Sequence, residues 1–167
     1  MLPLKVTANV QRITDGDTLK AMDESCRCRW IDTPEIQKEG EESTESWVLN
    51  QWYWGNRSKQ YLIDLIQENN NQITLYHCGT DFYGRVLSDW YIGRKNLQVE
   101  LTLAGLAVPF LPIGKHSFYD DRETDLYASL VKAVSIAYRE KRGFWKEFKD
   151  ESFLLPYEFK KKSKGLI

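Results

Sequence analysis

Net positive charge is the first thing this chain lacks. Its 167 residues carry 23 Lys and Arg against 24 Asp and Glu, a formal charge of −1. Proteins that only hold nucleic acid draw much of their affinity from neutralising phosphates and releasing counterions. With a near-neutral average, any attraction to a polyanion must be local. That suits an enzyme that must release its product better than a repressor. Long apolar runs are missing too: no stretch approaches the roughly 20 residues of a membrane span. The opening Met-Leu-Pro-Leu-Lys-Val has no signal-peptide h-region. It reads as cytoplasmic, or as secreted if a leader has been removed. Cysteine is scarce and odd in number (Cys26, Cys28, Cys78), which excludes a full disulfide framework. The two histidines, His77 and His116, lie in no metal-nuclease motif and read as structural or surface residues. No internal repeat or low-complexity linker is present. What remains, 42% hydrophobic and 28% charged residues, fits one ordinary globular domain.

What is present is concentrated in residues 12–35. Arg12-Ile-Thr-Asp-Gly-Asp-Thr18 is followed by a polar turn around Asp23, then by Arg27-Cys-Arg-Trp-Ile-Asp-Thr-Pro-Glu35. Asp15, Asp17, Asp32 and Glu35 thus fall with Arg27 and Arg29 within one predicted hairpin. Hard oxygen ligands beside guanidinium groups suit a divalent cation that holds a phosphate. Arg85 waits much further on, in Asp81-Phe-Tyr-Gly-Arg85. Each group alone has a plain reading. Asp-Gly makes hairpin turns, Asp32 can cap a reversal before Pro34, and a strand arginine can simply face water. As a set they favour a site, because carboxylate–arginine clusters are poor stability devices.

Hydrophobic patterning places these residues. Residues 4–11 alternate as a half-buried strand, and the phase slips at Arg12-Ile13, which predicts a bulge before Asp15-Gly16. A second strand covers 18–21, a turn lies near 23–25, and a third strand covers 26–31 until Pro34 ends it. Alternation predicts Arg27, Arg29 and Ile31 on one face, with Cys26, Cys28 and Trp30 on the other. The cysteines then read as small apolar thiols in a buried stripe rather than as zinc ligands. Residues 36–54 read as a long connection, acidic at Glu39, Glu41, Glu42 and Glu45, then aromatic at Trp47, Trp52, Tyr53 and Trp54. The aromatics are expected to pack over the core more readily than to stack on bases.

Asn56 can cap a helix that Asn69-Asn-Asn71 stops. Strands follow over 73–78 and 86–92. Asn96 caps a short helix with Gly105 at its C-terminal end. Asp120-Asp-Arg-Glu123 spaces like a capping box before a helix whose Leu126, Leu130, Val134, Ala137 and Tyr138 face inward and which ends at Gly143. Residues 150–167 read as a docked strip with a basic tip at Lys160, Lys161, Lys162 and Lys164. The order gives an α+β fold, a small barrel flanked by helices.

Together, Asp15-Gly-Asp-Thr18, Arg27 five residues before Asp32, Asp32-Thr-Pro-Glu35 and Asp81-x-Tyr-Gly-Arg85 resemble the staphylococcal (micrococcal) nuclease family. Asn96-Leu97, Gly105-Leu-Ala107 and Gly143-Phe-Trp145 extend the likeness over about residues 5–147. The resemblance implies a five-stranded OB-type β-barrel with three helices over a domain at 1–149, followed by a C-terminal extension at 150–167. It also implies calcium-dependent cleavage of DNA and RNA at the bond to the 5′-oxygen, leaving 3′-phosphate ends. Calcium is favoured over magnesium. The resemblance assigns metal contacts to Asp17, Asp32 and the Thr33 carbonyl, general-base work to Glu35, and phosphate binding to Arg27 and Arg85. Tyr83 would line the nucleotide pocket, with Asp15 and Asp81 supporting the site from just outside. Only the family's spacing selects Arg27 over Arg29, which then reads as exposed or as a peripheral phosphate contact. The expected state is a monomer with nucleic acid as its partner, no membrane association and no stable protein partner.

The chain departs from the family in a shorter hairpin between Thr18 and Asp32, in Trp30, in Phe82, and in an aromatic rather than basic 36–54 segment. After Ala107 no second pocket tyrosine is assigned. The alternative reading is a non-catalytic OB-fold nucleic-acid-binding module, since such barrels commonly bind without cutting.

Overall fold

The computed structural model describes residues 4–111 and 121–167. Strands β1 (Leu4–Ile13), β2 (Thr18–Ala21), β3 (Glu24–Cys28) and β4 (Ile31–Asp32) come first, followed by helix α1 (Ser46–Gln67). Strands β5 (Gln72–Thr80), β6 (Val86–Ile92) and β7 (Lys95–Asn96) lead into α2 (Leu97–Leu103) and β8 (Val108–Pro109). Helix α3 (Asp121–Arg139), a 3₁₀ turn (Gly143–Glu147) and α4 (Pro156–Ser163) complete the chain.

The sheet runs β3-β2-β1-β5-β6, antiparallel throughout, and a parallel pairing of β3 with β6 closes it into a five-stranded barrel. Closure removes both edges and brings Arg27 into register with Leu87 on β6. The predicted bulge is present: the β1–β2 register shifts between Val10 and Arg12. A bulge bends the strand that carries it, and this strand leads directly into the Asp15–Thr18 turn. Leu19, Ala21, Cys26, Cys28, Ile73, Leu75 and Trp90 line the barrel, and the helices cover it with Leu62, Ile66, Leu97, Leu101, Leu130 and Phe144. Cys26 and Cys28 are fully buried, in keeping with their reading as small core residues. Asn96 caps α2, its side chain accepting from the Val99 amide at 2.9 Å, and Gly105 follows at φ +71°, the left-handed position a side chain resists.

Five expectations give way to tertiary context. The hairpin turn sits at Met22–Asp23, both at positive φ, rather than at 23–25. Strand β3 ends at Cys28, because Trp30 adopts φ +64° and breaks the alternation. Arg29 and Ile31 therefore do not share a face with Arg27. Helix α1 begins at Ser46, ten residues before Asn56, so the aromatic part of the 36–54 segment is helical. Trp52 and Trp54 are buried there while Tyr53 stays half exposed. Ordinary helix formers and the buried tryptophan ridge outweigh the Asn56 capping signal. On α3, Leu126, Leu130 and Ala137 face inward as expected, but Tyr138 is 46% exposed and lies beside Trp145 and Phe148. The C-terminal strip forms a fourth helix, α4, beyond the three expected. Asp120 and His116 lie outside the described residues, so the capping box and that histidine gain no structural account.

Candidate active site

The short loop before β2 sets the first carboxylates. The Thr14 and Asp15 amides both bond to the Thr18 carbonyl, and Asp15 accepts from the Asp17 amide at 3.0 Å. This turn points Asp17 inward until only 6% of it is exposed. Its Oδ2 accepts from both the Thr33 amide (2.9 Å) and the Thr33 hydroxyl (3.0 Å). Asp32-Thr33-Pro34-Glu35, sixteen residues later, is thereby tied to the Asp17 loop. Two glycines permit the close approach. A Cβ on Gly16 would fall 2.7 Å from the Ser58 Cβ, and one on Gly55 would fall 2.2 Å from the Glu35 carbonyl oxygen. Gly55, in the third turn of α1, thus lets the Glu35 backbone lie directly on the helix. Its signal, a lone glycine inside an apolar helical pattern, is legible only once the helix is known to start at Ser46.

Arg27 projects from β3 into the same place. Its Nη2 lies 3.2 Å from Asp17 Oδ2 and 3.4 Å from Asp32 Oδ1, and donates to the Ile31 carbonyl at 2.9 Å. Its Nη1 donates to the Cys28 carbonyl. Burial works against this charge, but Asp17 and Asp32 outweigh it and hold the guanidinium above its usual range. Arg85 enters from the β5–β6 turn. Asp81 holds it, accepting from the Arg85 amide at 3.0 Å and from Nε at 2.7 Å. Burial pushes Asp81 up, but the Arg85 amide and guanidinium outweigh it and keep the carboxyl below the ordinary range. Arg85 Nη1 reaches the Thr18 hydroxyl at 3.3 Å, and that hydroxyl in turn donates to Asp17 Oδ1 at 3.2 Å. The two distant arginines are thus separated from one another only by the Asp17–Thr18 pair.

A cleft of about 560 Å³ opens over this cluster, lined by Asp15, Asp17, Arg27, Thr33, Glu35, Tyr83 and Arg85 among others. Tyr83 stands at its rim, 81% exposed, with the Arg85 guanidinium 5.7 Å from its ring centre. Asp32 touches the cluster through Arg27 rather than lining the cleft. Asp15 is pushed up to about 7, first by burial and then by the Asp17 charge. Burial raises Asp32 as well, against the opposing pull of Lys160.

Two residues stand elsewhere than the sequence suggested. Arg29 is neither exposed nor near the cleft. It forms a bidentate pair with Asp89 (2.5 and 2.7 Å), bonds Glu123 at 2.9 Å, and stacks 3.7 Å over Trp30. The positive φ of Trp30 turns the chain after Cys28, so Arg29 leaves on the opposite side from Arg27. Conversely, Lys160 reads from the sequence as part of a basic tip, yet α4 sets its ammonium 2.5 Å from Asp32 Oδ1 and 3.3 Å from Glu35 Oε1. No local signal marks it, because its partners lie more than a hundred residues away.

The sequence matches the staphylococcal nuclease homologue family over residues 25–147. The chain belongs to that family. Its match begins after Asp15 and Asp17, which the fold nonetheless carries to Arg27 and Thr33. An uncharacterized endonuclease of Haemophilus influenzae is 29% identical over 103 residues, covering 62% of this chain and 52% of the relative. The chain therefore spans about half the length of the curated relative it matches.

Staphylococcal nuclease homologues imply a metal ion, and the donor set here fits one chemically. Asp17, Asp32 and Glu35 offer hard carboxylate oxygens, the kind calcium and magnesium prefer. The Lys160 ammonium already bridges two of them as a stand-in positive charge. Among the described residues, no three acidic side chains yet converge on one point, and Arg27 and Lys160 fill the spaces between them.

Proposed function

We propose that this chain is a metal-dependent nuclease that hydrolyses DNA and RNA at the bond to the 5′-oxygen, leaving 3′-phosphate ends, with calcium as its ion and a monomer as its working form. The observation that carries this reading is the meeting of Arg85 with the Asp17–Arg27 cluster across one cleft, from positions 67 residues apart at the Arg85–Thr18 contact.

A phosphodiester is anionic and repels an attacking hydroxide, so its charge has to be offset first. Asp17, Asp32 and the Thr33 backbone would hold the divalent ion, which when bound polarises a phosphate oxygen. Arg27 on β3 and Arg85 in the β5–β6 turn approach the cleft from different elements and can grip separate oxygens of the five-coordinate phosphorane as its negative charge grows. Asp81 fixes Arg85 in orientation, and the Ile31 and Cys28 carbonyls fix Arg27, so neither must be reorganised during the reaction. Glu35 faces the same cleft and can take a proton from the attacking water. Tyr83, at the rim, offers a ring face to a base beside the scissile phosphate. The deep set of the arginines, rather than a broad basic surface, explains how a chain of net charge −1 can grip a polyanion.

Digestion of plasmid, single-stranded DNA and RNA across a panel of cations, with the product ends identified, tests this reading. Cleavage should vanish in EDTA, return with calcium, and yield 3′-phosphate ends. Folded protein that binds but never cuts under any cation would leave the non-catalytic binding module instead.

A further inference from the structure

Helix α4 lies outside the family match, yet it delivers a charge into the middle of the cleft. It is held there by specific contacts. Pro156 is buried at its first turn, and the Leu155 amide donates to Glu158 Oε2 at 2.8 Å. Gln51 of α1 donates to the Leu154 carbonyl at 2.5 Å, and the Phe159 ring packs against Trp47 at 5.4 Å. Lys162 adds a cation–π contact to the same Trp47 at 4.8 Å. Both faces of that anchoring belong to the aromatic start of α1. The extra turns of α1 and the C-terminal helix therefore work as one unit whose product is the position of residue 160.

At that position the Lys160 ammonium contacts Asp32, a member of the proposed cation site, and Glu35, the proposed base beside it. One positive charge cannot be added beside another at this distance without a large repulsion. A divalent ion that draws on Asp32 must therefore displace the ammonium. Displacement needs no helix movement, because the lysine stem has four rotatable bonds and its side chain is 41% exposed on the cleft side.

We infer that Lys160 is an internal, tethered cation that competes with the divalent metal for Asp32, braced by Glu35, and so sets the metal affinity of the free protein. The inference rests on the proposed reading of Asp17 and Asp32 as cation ligands. Its size follows from occupancy: if the ammonium holds its place about nine-tenths of the time, the apparent metal affinity falls about tenfold. Once swung out, the same ammonium stays within the cleft that would receive the phosphate, so metal and substrate would load together more readily than metal alone.

The test is isothermal titration of calcium into the full chain, without substrate, for wild type, Lys160→Met, Lys160→Arg and Lys161→Met. Methionine keeps most of the apolar stem, so α4 keeps its packing. Lys161 is exposed one residue away and controls for general loss of positive charge. Calcium should bind Lys160→Met about tenfold more tightly than wild type, with Lys160→Arg and Lys161→Met both within about threefold of wild type. The rise in melting temperature on adding calcium should be larger for Lys160→Met in the same order. Unchanged or weaker binding by Lys160→Met, or an equal gain in Lys161→Met, overturns the inference. Cleavage is scored separately: tighter calcium binding without cleavage by any variant sustains the competition and removes the nuclease reading. Cleavage with unaltered calcium affinity does the reverse.

Discussion

Two clusters of arginine and carboxylate flank the β3–β6 seam, and they are built for opposite ends. Around Asp89, which is fully buried, Arg29 and Arg122 supply two guanidinium groups, and Gln98 and Cys78 add further contacts. Both carboxylate oxygens are bonded by cations, and Trp30 closes over the top. Among the described residues, these partners occupy both oxygens of a fully buried carboxylate. Around Asp17, by contrast, Arg27 and Arg85 both border an open cleft of about 560 Å³. There carboxylates stand close enough to disturb one another: Asp15 is pushed up to about 7 by burial and by Asp17. The lesson is that residue types alone do not separate a structural ion network from a site. Saturation and access do.

Four experiments sharpen or break that contrast. The largest effect is expected at the closed cluster. Asp89→Asn removes the buried charge that Arg29 and Arg122 share, leaves Arg29 to Glu123, and should lower unfolding free energy by about 3–5 kcal/mol, read by urea denaturation. Loss of cleavage with stability intact would mean that the Asp89 cluster is functional after all. At the open cluster the expectation reverses. Arg85→Ala or Glu35→Gln should cut turnover by about two orders of magnitude while melting temperature changes little. Unaltered DNA cleavage by either folded variant removes that residue from the mechanism.

Gly55→Ala comes next. The added methyl meets the Glu35 carbonyl oxygen at 2.2 Å, an overpacking that should cost about 1–3 kcal/mol. Because it pushes Glu35 itself, turnover should fall further than the stability loss explains. Turnover that falls only in step with the folded fraction would deny Gly55 a positioning role.

The smallest effect is pH-dependent. The Asp15 carboxyl is raised in the folded state to about 7 from the ordinary 3.8. Between those values the native state keeps a proton that the unfolded chain has lost, so the native state is favoured at low pH. That contribution is lost as pH rises through about 7. With solvent screening of the partly exposed carboxyl reducing this to about 1 kcal/mol, wild type in EDTA should lose roughly 2–4 °C more in melting temperature between pH 5 and pH 8 than Asp15→Asn. Parallel melting curves for the two proteins would show that Asp15 does not titrate there.

Much of the site was legible because its parts are local. Asp15-Gly-Asp-Thr18 is a tight turn, Asp32-Thr-Pro-Glu35 ends a strand, and Asp81 lies four residues from the Arg85 it holds. Each places its side chains through hydrogen bonds spanning a few positions. Arg29 could not be read this way. Its fate depends on one positive φ at Trp30 and on partners 60 and 94 residues distant. The start of α1 was missed for a related reason. Trp47, Trp52 and Trp54 carry no strong helical signal, and what makes them helical is the core and the C-terminal segment they pack against.

The sequence by itself determined most of the barrel's strands, its bulge, the cap of α2, and the tight turns that carry Asp17 and Arg85. These follow from periodicity and short-range bonding, which the order of residues encodes directly. Only the tertiary structure decided which arginine faces the cleft, how closely Glu35 lies on α1, and that Lys160 stands between Asp32 and Glu35. Those outcomes depend on where separate elements meet when the barrel closes and the helices dock, and on contacts such as that of Lys160 with Asp32, 128 residues apart.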